Sequence, residues 1–232
     1  MVGTTHPGNI GAAARAMANM SFSKLTLVDP QCPIGEIAYA RASGAHSILD
    51  DRETCSDLAQ AIAGCGFVVA ASARRRTLAW PELTPAQLAD KIGDIGTTGQ
   101  VALVFGREHS GLTNEELQLC NAMVCIPTNP DFSSLNVASA IQVICYEIFS
   151  RQPEADNVSK PTDESDLPAS SDDVERYFEH LQRVLQSTEF LDPQQPGLIM
   201  QRLRRLYLRS ELTRNEINIL RGMLSAIEKK QN

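Results

Sequence analysis

The sequence predicts an α/β domain with a parallel sheet over residues 1–151, then an acidic, proline-bearing linker over 152–171 and a small all-helical module over 172–232. Three observations carry this. Short apolar runs alternate with helical patterns up to about residue 150, the runs are apolar at every position, and the composition changes at Gln152. A strand that is apolar throughout is buried on both faces, as in a parallel sheet covered by helices.

The elements follow in order. In HPGNIGAAARAM (6–17), Pro7 and Gly8 bend the chain, Asn9 can cap, and the alanine-rich stretch that follows has high helix propensity. Strands are expected at KLTLVD (24–29), GFVVAAS (66–72), VALVFG (101–106) and AMVCIP (122–127). Helices are expected at SDLAQAIAG (56–64), TNEELQL (113–119) and NVASAIQVICYEIF (136–149), the last with Val137, Ala140, Ile141, Ile144, Cys145 and Ile148 at helical spacing. The segment QPEADNVSKPTDESDLPASS (152–171) has almost no large apolar residues and reads as linker. Beyond it, DDVERYFEHLQRVLQ, LIMQRLRRLYLRSE and TRNEINILRGMLSAIEKK are amphipathic, and Thr213 with Glu216 forms a capping-box pattern. Three short helices bury little core alone, so the module is expected to dock on the first domain or on a second subunit.

The net charge of −7 argues against a nucleic-acid partner until it is divided along the chain. Residues 1–150 carry 9 Lys/Arg against 14 Asp/Glu, residues 151–175 carry 2 against 8, and residues 176–232 carry 10 against 6. The last segment is therefore basic, the local property that phosphate binding needs. The six cysteines are scattered without a CxxC, which suits reduced thiols, and the four histidines have no partner at zinc-ligand spacing, so no metal is expected. With no apolar run long enough to span a bilayer and no targeting pattern, the sequence predicts a cytoplasmic protein without a membrane partner.

Three stretches that carry chemistry each follow a predicted strand or open a helix. GTTHPGNIG is neither GxGxxG nor a phosphate-binding P-loop, so dinucleotide and nucleoside triphosphate binding are disfavoured. VFGREHSGLTNEEL (104–117) places Gly106, Arg107 and Glu108 at a strand end, where the two charges could pair with each other. In IPTNPDFSSLNVASA (126–140), Ser133, Ser134 and Asn136 lead into the apolar helix, where they can bind a polar ligand or cap it.

Taken together, NIGAAARAM, VFGREHSGLTNEEL and IPTNPDFSSLNVASAIQVICYE resemble the three motifs of the SpoU group of SPOUT RNA methyltransferases. SARRRTLAWP (72–81), the linker and the helical tail are similar to the members of that group that methylate the ribose 2′-hydroxyl of cytidine or uridine at anticodon-loop position 32 of tRNA. The resemblance implies a SPOUT-type sheet with a C-terminal trefoil knot, S-adenosylmethionine as cofactor, tRNA as substrate and a homodimer whose site is completed across the interface. No further protein partner is implied. Carried over by position, the methyl donor contacts Ala71, Ser72, Ala73, Gly106, Glu108, Ile126, Ser134, Leu135 and Asn136. Asn9, Arg15, Glu108, Ser134 and Asn136 form the catalytic set. Because a guanidinium stays protonated in ordinary surroundings, Arg15 is expected to stabilise developing alkoxide charge and fix the adjacent phosphate, not to take the proton.

RNA binding is expected from Arg74, Arg75 and Arg76 and from the tail's Arg202, Arg204, Arg205 and Arg209, with Tyr207 either stacking on a base or packing in the module. One departure stands out: only MVGTT precedes His6 where the family has a full strand, so at most a stub of a central strand is expected, with exposed apolar edges as the consequence. Two other readings remain open: the same chemistry on ribosomal RNA or another tRNA site, and a non-catalytic RNA-binding protein that keeps the fold.

Overall fold

Strand β3 (Phe67–Ala71) shows why the apolar runs are continuous: Phe67 and Val69 enter one core and Val68 and Ala70 the other, all almost fully buried. Fully burying such side chains stabilises by roughly 1.5–3 kcal/mol each. The computed structural model describes residues 1–72, 80–96, 99–151, 167–192 and 198–231. Ala73, Arg74, Arg75, Arg76 and most of the expected linker lie outside them.

The first domain runs α1 (Pro7–Asn19), β1 (Thr26–Val28), α2 (Glu36–Ala42), α3 (His46–Asp50), β2 (Glu53–Cys55), α4 (Leu58–Ile62), β3, β4 (Glu82–Leu83), α5 (Pro85–Ile95), β5 (Val101–Phe105), α6 (Asn114–Leu117), β6 (Ala122–Val124) and α7 (Val137–Ser150). Every strand pairing is parallel. A four-stranded sheet has the order β4-β6-β3-β5, with Phe67 opposite Val101 and Ala71 opposite both Phe105 and Val124. A second sheet holds β1 and β2.

The expected stub behaves differently from its expectation. Met1–Gly3 fills the slot between the two sheets: Val2 N–H donates to Phe105 C=O, Gly3 N–H to Val28 C=O, and Val28 N–H to Met1 C=O, each at 2.8 Å. Val2 is 1% exposed. Three residues suffice because the strands they join are themselves only three and five residues long, so the edges are paired and covered.

On one face, α1 and α7 pack together, with α1 also against α2 and α7 against α5. A Cβ on Gly11 would sit 2.0 Å from the Ala38 carbonyl oxygen, so only glycine permits the α1–α2 approach. The inward face of α7 is Ala138, Ile141, Ile144, Cys145 and Ile148, as its periodicity predicts. Elements that the sequence reading did not assign, such as β2, β4 and α2, are too short to show a period. Helix α5 does carry a legible start, a capping box between Thr84 and Gln87.

The helical module comprises α8 (Ser171–Ser187), α9 (Ile199–Leu208) and α10 (Arg214–Gln231), closed around Tyr177, Phe178, Leu181, Val184, Ile217 and Leu224. The end of the expected linker is part of it: Ala169 is buried, and its N–H donates to Leu212 C=O at 2.8 Å. One expected RNA contact, Arg204, is also structural, and of the two alternatives for Tyr207 the structure shows packing. Arg204 is doubly hydrogen-bonded to Glu175 and lies over the Phe178 ring, 4.5 Å from its centroid, while Tyr207 packs edge-on against Tyr177 and Phe178. Both lie on the side of α9 that meets α8, where an arginine is retained by pairing and stacking. Arg202 and Arg209 are exposed and Arg205 half-buried.

Candidate active site

The carboxyl ends of β3, β5 and β6 open into a cavity of about 660 Å³, well within the range of small-molecule sites. Ala71 and Ser72 end β3, Gly106 and Glu108 follow β5, and Ile126 with Ser134, Leu135 and Asn136 follows β6. Asn9 from α1 completes the wall. Thus all eight expected donor-site residues that the structure describes line one cavity.

What joins them is a chain of hydrogen bonds. Asn136 N-caps α7 by accepting from Ala138 N–H at 2.9 Å. Its amide oxygen thereby committed, Asn136 Nδ2 donates to Asn9 Oδ1 at 3.0 Å. Asn9 Nδ2 in turn donates to Glu108 Oε1 at 3.0 Å. Thr5 closes the chain from the other side, with its N–H 3.2 Å and its hydroxyl 3.1 Å from Glu108 Oε2. Each amide has its orientation dictated by its neighbour, since a carboxylate only accepts and a helix N–H only donates. Burial works to raise the Glu108 carboxyl, but hydrogen bonds from Asn9 and Thr5 outweigh it and hold the group below its ordinary 4.5. Glu108 is therefore an anion that fixes the orientation of the Asn9 amide.

The loop after β5 is drawn tight. Arg107 and Gly111 exchange backbone hydrogen bonds, and a Cβ on Gly106 would lie 2.3 Å from the Gly111 carbonyl carbon, so Gly106 leaves no room for any side chain. Arg107 and Glu108 do not pair with each other. Successive residues leave a strand on opposite sides, so Arg107 meets Glu116 in two hydrogen bonds of 3.0 Å while Glu108 faces α1. The Glu116 partnership raises Arg107 above its usual range and anchors the loop to α6.

Arg15 does not line this cavity. It is exposed on α1, six residues beyond Asn9, which turns it about 120° away around the helix. Sequence reasoning also left out Thr5, His6, His109 and Ser110, all of which line the cavity. Their signal was proximity to the motifs. His6 also N-caps α1, its Nδ1 accepting from Gly8 N–H at 3.0 Å, the role expected of Asn9.

A cavity at the carboxyl end of a parallel sheet, walled by tight glycine turns and a capped helix start, defines an α/β enzyme that binds its ligand beyond the strand ends. The chain belongs to the SpoU rRNA Methylase family, whose model matches residues 1–146. Residues 172–232 match the model described as tRNA methyltransferase TrmJ, C-terminal domain. The chain is 47% identical over 99% of its length to the tRNA (cytidine/uridine/adenosine-2′-O-)-methyltransferase TrmJ of Pseudomonas aeruginosa, covering 92% of that protein. It is 44% identical to the tRNA (cytidine/uridine-2′-O-)-methyltransferase TrmJ of Cronobacter sakazakii, covering 96% of it. Among solved structures, TrmJ from Z. mobilis ZM4 superposes with a TM-score of 0.84 at 32% identity over 98% of this chain and 96% of that one.

Proposed function

We propose that this protein transfers a methyl group from S-adenosylmethionine to a ribose 2′-hydroxyl in tRNA, at the cytidine or uridine of anticodon-loop position 32. The observation that carries the reading is the hydrogen-bonded chain Asn136–Asn9–Glu108–Thr5, which knits three sequence motifs around one cavity. Its completeness argues against a non-catalytic protein that merely keeps the fold. The whole-length likeness to TrmJ proteins, including the tail, favours tRNA over ribosomal RNA.

The residues fit the proposed cofactor. Ile126 and Leu135 offer apolar walls for a base, Gly106 permits close backbone approach, and Ser134 with Asn136 supplies polar groups. Bound there, S-adenosylmethionine would supply an electrophilic methyl group. Asn9 and Asn136, with amides fixed by Glu108 and the α7 cap, hold the reacting groups in register, a contribution of positioning. Arg15 stabilises the negative charge that develops on the 2′-oxygen.

For that, Arg15 must reach a cavity other than its own. Helix α7, which packs on α1, exposes Val143, Tyr146 and Phe149 on its outer face, an apolar patch suited to a second copy of the chain. A homodimer through this face carries Arg15 of one protomer to the cavity of the other. The knotted chain path of the family and a cytoplasmic location belong to the same reading; no helix among the described residues is long and apolar enough to cross a membrane.

The test is incubation of the purified protein with unmodified tRNA and S-adenosylmethionine, followed by nucleoside mass spectrometry and site mapping. The expected products are 2′-O-methylcytidine and 2′-O-methyluridine at position 32. Methylation of ribosomal RNA alone, or none with either RNA, overturns the reading.

A further inference from the structure

The helical module docks on the end of the sheet away from the cavity. The first turn of α8 donates Ser171 N–H to Cys65 C=O at 2.8 Å and Asp172 N–H to Ala63 C=O at 3.1 Å, immediately before β3 begins. The cavity lies beyond the other end of the same strand, at Ala71 and Ser72. A five-residue strand rising about 3.3 Å per residue spans some 13–16 Å, so the two places are at least that far apart along the sheet. The exposed Arg202 and Arg209 of α9 therefore lie away from the protomer's own cavity, so their use as an RNA contact would depend on how rigidly α9 is held.

We propose that Asn121, together with the Lys91–Glu211 ion pair, is a latch that positions the basic face of the module for tRNA, an inference that rests on reading the module as an RNA contact. Asn121 sits directly before β6 and is used three ways. Its N–H donates to Val68 C=O and its Oδ1 accepts from Val68 N–H, both at 2.8 Å, so the side chain is locked to the sheet. Its Nδ2 then donates to Leu208 C=O at 3.3 Å, the last residue of α9. Carbonyls at a helix C-terminus lack intrahelical partners, so this bond holds α9 by its end. Three residues on, Glu211 adopts a left-handed backbone with φ 49° and donates its N–H to the same Leu208 carbonyl at 3.4 Å. That turn sends the Glu211 carboxylate to Lys91 Nζ at 2.5 Å, on α5. Both arms of the latch grip one turn, Leu208–Glu211, and both are rooted in the domain that holds the cavity.

Asn121→Asp tests the first arm cleanly. It keeps the acceptor for Val68 N–H and the backbone bond, but replaces the donor to Leu208 with a carboxylate oxygen that the carbonyl and the negative end of α9 repel. Glu211→Lys breaks the second arm, and Lys91→Glu combined with Glu211→Lys rebuilds it with the charges exchanged. In the full-length protein, each single variant is expected to raise KM for tRNA roughly 3- to 10-fold, with kcat and S-adenosylmethionine affinity unchanged. Amide exchange over residues 199–212 should quicken in both single variants, and the charge-exchanged pair should restore KM and exchange together. Unchanged KM despite faster exchange, unchanged exchange, or a fall in kcat and cofactor affinity together would each overturn the latch. Arg202→Ala with Arg209→Ala separates the two ideas. If that pair leaves KM for tRNA unchanged, the reading of the module as an RNA contact fails and the latch with it; if it raises KM while the latch variants do not, the latch alone fails.

Discussion

The two ends of the sheet are made from the same strands and finished in opposite ways. Beyond the carboxyl ends, contacts between distant segments run through side chains: Asn136, Asn9, Glu108 and Thr5 hydrogen-bond across 99 to 127 residues of chain and leave a cavity beside them. At the amino ends, contacts run largely through backbone, with carbonyls of Ala63 and Cys65 taking the first N–H groups of α8. The contrast teaches where single substitutions bite. Side-chain networks transmit a one-residue change into chemistry, whereas backbone docking tolerates most changes and fails only where a side chain bridges the gap.

The largest expected effect sharpens this contrast at the cavity end. Arg15→Ala should lower kcat by about 10²- to 10³-fold, the scale seen when one donor to a developing oxyanion is removed. Because Arg15 is exposed, thermal stability and cofactor affinity should be unchanged by scanning and titration calorimetry. Dimers mixed from Arg15→Ala and Asn136→Ala chains should recover activity, since one of their two sites is then intact; no recovery would mean that Arg15 serves its own protomer. Next comes Gly106→Ala, whose methyl group has nowhere to go. It should cost about 1–3 kcal/mol in urea unfolding and weaken cofactor binding at least tenfold.

Glu108→Gln probes the polar chain through pH. The Glu108 carboxyl is held below its ordinary 4.5 in the folded protein, so its stabilisation is present above that value and is lost as pH falls through the lower, folded value. The glutamine variant should be less stable by about 1–3 kcal/mol near neutrality, because donors that faced a carboxylate are left poorly paired. The gap should narrow as pH drops below 4.5, read by urea midpoints across the acid range. The smallest effect belongs to the far end: Arg202→Ala with Arg209→Ala should weaken tRNA binding several-fold and reduce its salt dependence by roughly one to two units of slope, leaving cofactor binding untouched. If this pair instead abolished catalysis at saturating tRNA, the division between the two ends would be wrong.

Much of the first domain was legible because its signals are local. VVA in β3 announces burial on both faces by being apolar throughout, and the stripe Ile141, Ile144, Cys145, Ile148 on α7 announces one inward face by its helical period. The three motifs announced the cavity through residue type and spacing. What remained hidden was pairing. Neighbouring opposite charges at Arg107 and Glu108 suggest one ion pair, but the pleat of the strand end separates them, and the true partners lie at Glu116 and Asn9. Likewise the run RLRRLYLR reads as one basic surface, although the turn of α9 sends Arg204 and Tyr207 into the module and Arg202 and Arg209 outward.

By itself, then, the sequence determined the parallel α/β class, the helical tail, the family likeness and nine of the residues that line the cavity, because each depends on the pattern within one element or one loop. Only the tertiary structure decided that Met1–Gly3 is enough to join two sheets, that Arg15 turns away from the cavity Asn9 enters, and that the module sits at the opposite end of the sheet. Those outcomes depend on which elements meet, and a hydrogen bond between residues 9 and 136 or 121 and 208 leaves no trace in the local order of either segment.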